Sequence, residues 1–159
     1  MDSKFYQTLV SRADVITAGE QNILPNLANV AALLGQQLPR INWAGFYLMD
    51  GGTLVLGPFW GKPACLRIEI GKGVCGTAAG TDTVQRIADV HAFPGHIACD
   101  AASASEIVIP IHCNGRVAAV LDIDSPFPDR FTEEDEAGLC ALVSVLEQRS
   151  WETCGYDLR

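Results

Sequence analysis

No stretch of this sequence is apolar over the roughly 20 residues that a membrane-spanning helix needs. Clusters of positive charge are also missing. The 11 Lys and Arg residues are scattered singly against 19 Asp and Glu, for a formal net charge of −8, and nothing interleaves them with aromatics as a nucleic-acid groove requires. Neither nucleic acid nor a membrane surface is therefore expected as a partner. The opening MDSKFYQTLVSRADV carries charge throughout and lacks the unbroken apolar core of a secretory signal, so the expected location is cytoplasmic. There is no internal repeat, low-complexity tract or linker, and no C-x-x-C or H-x-E element of a metal or dithiol motif.

What is present is enough apolar material, 48% of 159 residues, to build one domain over residues 1–159 around its own core. Six cysteines (65, 75, 99, 113, 140 and 154) are then poorly explained as structural bridges in a reducing compartment, and each is a small hydrophobe or a reactive thiol.

The order of elements follows from periodicity. Phe5, Leu9, Ala13 and Ile16 recur at helical spacing after the capping residues Asp2 and Ser3. A second helix spans about Asn22 to Leu38, with Leu24, Leu27, Val30, Ala31, Leu33 and Leu34 on its buried face and Pro39 as its stop. NWAGFYLM and TLVLGPFW flank Asp50-Gly51-Gly52 as a hairpin, CLRIEI (65–70) alternates as a half-exposed strand with Leu66, Ile68 and Ile70 on one side, and Val84 to Val90 is a brief strand. EIVIPIHC and RVAAVLDID form a second hairpin about Asn114-Gly115, where Pro110 requires an edge or a bulge. Thr132 caps a closing helix that carries Leu139, Leu142, Val143 and Leu146 to about Trp151. Strands grouped between terminal helices make an α+β fold with an antiparallel sheet. A GAF-like arrangement, with the terminal helices on one face and loops covering a pocket on the other, fits this order.

Three features carry chemistry. The loop His91–Pro110, HAFPGHIACDAASASEIVIP, is too small and polar to fill a core, and Cys99 sits within it. Asp122 and Asp124 share one face of their strand; either the strand reaches solvent there, or one acid has a raised pKa in a partly buried site. Counting across the Asn114-Gly115 turn places Glu106 opposite about Ile123, between the two aspartates, so three carboxylates converge unless a bulge at Pro110 changes the register. Such a cluster suits an amine and a carboxylic acid kept as a proton donor. Gly71-Lys72-Gly73-Val74-Cys75-Gly76 fits G-x-G-x-x-G but lacks the rest of a dinucleotide-binding unit; as a turn with free N–H groups at a helix start it suits a small carboxylate and lowers the pKa of Cys75. His91 and His96 with Cys75 and Cys99 lack zinc-ligand spacing, so no metal is assigned; a His base for Cys99 stays open. Trp43 and Trp60 fit core or hairpin positions.

INWAGFY (41–47), LVLGPFWGKPACLRI (54–68), GKGVCGTA (71–78), DVHAFPGHIACDAASASEIVIPI (89–111) and VLDIDS (120–125) together resemble the free methionine-R-sulfoxide reductases, GAF-fold enzymes acting on the free amino acid. The resemblance implies Cys99 as the catalytic cysteine, Cys65 and Cys75 as resolving cysteines, Glu106, Asp122 and Asp124 as carboxylates of the substrate site, and Trp43 as the wall for the substrate methyl group. It further implies a sulfenic acid on Cys99, an intramolecular disulfide, recycling by thioredoxin without a bound cofactor, and a homodimer. Cys113, Cys140 and Cys154 stand outside that pattern. The rival reading is a non-catalytic GAF module that senses a small ligand or the redox state.

Overall fold

In the computed structural model, which describes residues 1–96 and 101–151, the first two helices begin at side chains able to cap them. Asp2 accepts the Phe5 N–H and opens α1 (Ser3–Thr17). Asn22 accepts the Leu24 N–H and opens α2 (Ile23–Gln37), which holds Pro25 in its first turn, where no helical bond is lost. The buried stripe of α1 is Tyr6, Leu9, Ala13 and Thr17. Ile16, expected in that stripe, is 41% exposed. The next position under Ala13 is Thr17, whose hydroxyl is satisfied by donating to the Ala13 carbonyl at 2.7 Å. On α2 the fully buried residues are Ile23, Leu27, Val30 and Leu34, while Leu24 and Leu33 pack at the margin.

Six strands follow: β1 (Trp43–Asp50), β2 (Thr53–Gly61), β3 (Arg67–Glu69), β4 (Gln85–Ile87), β5 (Ser105–Cys113) and β6 (Arg116–Ser125). They form one antiparallel sheet in the order β3-β2-β1-β6-β5-β4. The β1–β2 and β5–β6 turns place Gly51, Gly52, Asn114 and Gly115 at positive φ, the geometry that matches the twist of a two-residue hairpin. The strand expected over 65–70 is confined to β3. Leu66 precedes its paired stretch and is 74% exposed, so Ile68 alone of the three apolar residues is buried. Helix α3 (Gly73–Thr81) lies between β3 and β4. The last helix, α4 (Glu133–Glu147), starts with a reciprocal Thr132–Asp135 capping box and stops short of Trp151. That tryptophan is buried beyond the helix and donates its indole N–H to the Leu146 carbonyl.

Strand alternation divides the interior. Ala44, Phe46, Leu48, Ile107, Ile109, Leu121 and Ile123 face α1, α2 and α4, and Trp43, Tyr47, Val108 and Val120 face α3. This is the α+β, GAF-like architecture expected from the order of elements, and it leaves the α3 side of the sheet for the site.

Asp135 ties the helical layer together. It is fully buried and accepts from the Tyr6 hydroxyl at 2.6 Å, from Arg130 at 2.9 Å and from the Thr132 N–H at 2.9 Å. Burial alone would raise its pKa. The Tyr6 and Thr132 hydrogen bonds and the Arg130 charge outweigh burial and hold the carboxyl below its usual range. Its stabilising contribution is therefore present above the unfolded carboxyl pKa, near 4, and is lost as the pH falls below it. Asp135→Ala leaves Arg130, whose side chain is 6% exposed, as an unpaired buried charge. Equilibrium denaturation at pH 7 should register a loss of about 3–5 kcal/mol, and an unchanged midpoint would refute that role.

Candidate active site

The carboxylates converge because of a bulge that simple counting across the hairpin does not include. Cys113 and His112 face Arg116 and Val117, but Ile111 faces Ala119, so β6 carries one extra residue and every later pair shifts. Glu106 therefore lies opposite Asp124, not Ile123, and Val108 lies opposite Asp122. Opposed residues of an antiparallel pair share a face, so the simple register would turn Glu106 toward the helical core with Ile123. The bulge brings it to the α3 side with both aspartates. It falls next to Pro110, on the stretch of β5 beyond the last β4 partner, Val108, where a missing N–H is tolerated.

β1 completes that face. Trp43 opposes Asp124, Gly45 opposes Asp122, and Tyr47 opposes Val120. The Trp43 ring stacks on Phe59 at 5.3 Å and on Tyr47 at 6.0 Å between centroids. A Cβ at Gly45 would stand 2.4 Å from the Phe59 Cβ and 2.7 Å from the Trp43 ring, so only glycine admits this aromatic wall, and Asp122 is left without a side chain opposite it. The wall also holds the next loop. Trp43 Nε1 donates to the Lys62 carbonyl at 3.1 Å, and the Tyr47 hydroxyl donates to the Cys65 carbonyl at 2.9 Å.

Helix α3 brings Cys75 over the carboxylates. Its glycines serve packing: a Cβ at Gly76 would meet the Glu69 carbonyl at 2.3 Å. No side chain caps the first turn of α3, and Lys72, Gly73, Val74 and Cys75 line the cleft there. Trp43, Tyr47, Lys62, Glu106, Asp122, Asp124, His96 and Ser103 also line this open cleft.

Lys62, Lys72 and His96 line the cleft beside the three acids. Glu106 and Asp122 are 5% and 6% exposed. Burial, then repulsion by Asp122 and Asp124, pushes the Glu106 carboxyl well above its usual range. Burial raises Asp122 to about 6, opposed by hydrogen bonds with Glu106 and Cys75. One oxygen of Asp122, Oδ1, is buried without a hydrogen-bond partner among the described residues. The raised carboxyl expected of this strand is thus Asp122. The lowered Cys75 pKa expected from the helix start is corrected: burial, then the charges of Asp122 and Glu106, push its thiol well above the usual value. His96 Nε2 stands 3.8 Å from Glu106 Oε2. Burial, helped by His91, lowers its pKa.

Of the residues singled out from sequence, Trp43, Cys75, Glu106, Asp122 and Asp124 line one cleft. Cys65 follows Ala64 at its rim and is half-buried and disulfide-bonded, while Cys75 is a free thiol. Cys99 and Cys154 lie outside the described residues. Trp60, read as a hairpin residue, packs at Gly35 of α2. Tyr47 is the residue that sequence reasoning passed over, although its even spacing from Trp43 along one strand places it on the same face.

The GAF domain family matches residues 23–149. The chain is 56% identical over 146 residues to the free methionine-R-sulfoxide reductase of Escherichia coli, covering 92% of this chain and 88% of that one. Among solved structures, the reduced form of fRMsr of Staphylococcus aureus superposes with a TM-score of 0.88 at 49% identity, covering 89% and 92% of the two chains. The free methionine-R-sulfoxide reductase of Neisseria meningitidis in complex with its substrate gives 0.89 at 40% identity, covering 94% and 91%. With that identity over nearly its whole length, the chain belongs to the free methionine-R-sulfoxide reductases, enzymes built on the GAF domain.

Proposed function

We propose that this chain reduces the R sulfoxide of free methionine to methionine at the cleft between β1, β6, β5 and α3. The observation that carries the reading is the meeting of Glu106, Asp122 and Asp124 with an aromatic wall and a cysteine in one cleft, in a chain of this family. The carboxylates hold the substrate ammonium, and the uncapped first turn of α3 supplies N–H groups for its carboxylate. Trp43 packs against the methyl group. A peptide-bonded methionine sulfoxide has no ammonium to place among the acids, which makes the site selective for the free amino acid.

The Cys99 thiolate attacks the sulfoxide sulfur while a carboxylic acid of the Glu106–Asp122 pair gives its proton to the oxygen. The S–O bond breaks with its electron pair, methionine leaves, and the hydroxyl ends on Cys99 as a sulfenic acid. A second thiol, Cys65 or Cys75, then attacks that sulfur and expels water, forming a disulfide. A thioredoxin-like dithiol in the cytoplasm returns both thiols, so no bound cofactor is needed. The disulfide-bonded state of Cys65 at the cleft rim supports its resolving role.

The experiment is consumption of free methionine-R-sulfoxide with thioredoxin recycling, run beside the S epimer and a peptide-bound sulfoxide. Turnover of the free R epimer alone is expected; binding without turnover would leave a ligand-sensing GAF module instead. A Cys65→Ser/Cys75→Ser variant should form about one methionine per chain and then stop when thioredoxin is the sole reductant. Undiminished cycling in that variant would refute the resolving roles.

A further inference from the structure

The thiol among the carboxylates has a consequence that holding an ammonium does not require. The Cys75 sulfur and one carboxylate oxygen each from Glu106 and Asp122 lie within 4.8 Å of one another, all three residues buried. Cys75 Sγ stands 3.9 Å from Glu106 Oε1, within a few tenths of an ångström of the roughly 3.5–3.7 Å that two ligands of one tetrahedral ion span with bonds of about 2.0–2.3 Å. Asp122 supplies an independent sign of a ligand. Its residue is 6% exposed, it lines the cleft, and its Oδ1 has no hydrogen-bond partner among the described residues, although buried acceptors are nearly always satisfied. Cys75 is a free thiol even while Cys65 is disulfide-bonded. The open side of the cluster faces the cleft, where His96 Nε2 is 3.8 Å from Glu106 Oε2 and is a further donor close at hand.

Ligand chemistry selects the cation. Oxygen-only clusters suit Mg²⁺ and Ca²⁺, whereas one thiolate with carboxylates and an imidazole nearby favours a thiophilic ion of the zinc type. We infer that a thiophilic divalent cation, with Zn²⁺ as the probe, binds Cys75 Sγ, Glu106 and Asp122 and closes the cleft to the amino-acid substrate. Binding forms a sulfur–metal bond, releases the Cys75 thiol proton to the buffer and moves no electron. Inhibition rests on the proposed activity, but metal binding does not.

The test uses the oxidised protein without reductant, so that Cys65 stays in its disulfide and no external thiol competes for metal. One Co²⁺ per chain should produce the near-ultraviolet sulfur-to-metal charge-transfer absorption of a thiolate site, and Zn²⁺ should displace it. Cys75→Ser should abolish that absorption and weaken Zn²⁺ binding by about tenfold or more, while a Cys65→Ser/Cys99→Ser variant should retain both. Free methionine should weaken the apparent Zn²⁺ affinity beyond what its own chelation of Zn²⁺ in solution accounts for. Absence of the absorption in the native chain, or its survival in Cys75→Ser, would overturn the site; no weakening beyond that chelation would overturn its overlap with the cleft. Absent turnover with the absorption intact would instead count against the proposed activity alone.

Discussion

Cys99→Ser is expected to abolish turnover of free methionine-R-sulfoxide, with methionine formation falling to the uncatalysed background. The expectation follows from what the reaction asks of sulfur. The nucleophile must be a thiolate, must accept the sulfoxide oxygen, and must then be attacked in turn by a second thiol. A serine hydroxyl ionises far too weakly for the first step and cannot form a sulfenic acid. Cys75, Cys113 and Cys140 do not offer a substitute. Cys75 is buried under Glu106 and Asp122, which push its thiol well above the usual value, so at neutral pH it is held as S–H. That suits a resolving thiol that loses its proton only as the sulfenic acid is attacked, and it disqualifies Cys75 as the first nucleophile. Cys113 and Cys140 pack against the helical side of the sheet, away from the cleft. Single-turnover quenching with chromatographic detection of methionine checks the variant, and substantial methionine from Cys99→Ser would refute the assignment. Mass analysis of the native chain after one turnover without reductant should find two thiols fewer than before.

Where sequence was legible, one local rule dominated. Capping at Asp2, Asn22 and Thr132 and the positive-φ hairpin at Asn114-Gly115 are decided within a few residues, and helices and turns formed where those residues stand. The family motifs marked Trp43, Cys75 and the three acids, which the fold gathers into one cleft. What sequence could not give depends on residues far apart. The extra residue of β6 at Ala118 moves Glu106 from the Ile123 register to that of Asp124, and Pro110 signalled only that an irregularity was needed. The direction of the Cys75 shift reversed because a helix start is a weak local field, while burial against Glu106 and Asp122 is a strong nonlocal one. Leu66 fits an alternating pattern, yet alternation sorts residues only where a strand is paired.

Asp122→Asn is expected to damage activity and stabilise the fold at once. Loss of a positioned acid typically costs about 10²–10⁴-fold, and an amide can neither donate the proton nor balance the substrate ammonium. kcat/KM for the free sulfoxide should therefore fall by at least about 10²-fold, with Glu106→Gln affecting the same pH limb. The stability sign follows from linkage. Burial raises the Asp122 pKa from the usual 3.8 to about 6, so the folded chain holds this proton more tightly than the unfolded chain. Native stability from this group is full below the unfolded value and declines as the pH rises through about 6. Above that pH the ionised group costs up to ~3 kcal/mol. The hydrogen bonds with Glu106 and Cys75 offset only part of that penalty. Asn carries no such charge, so in chelator-treated buffer the variant should melt several degrees above the native chain at pH 8 and nearly with it at pH 4. A melting temperature that falls at pH 8 would show that Asp122 stabilises the fold in its ionised form, and the proton-donor reading of the Glu106–Asp122 pair would fall with it.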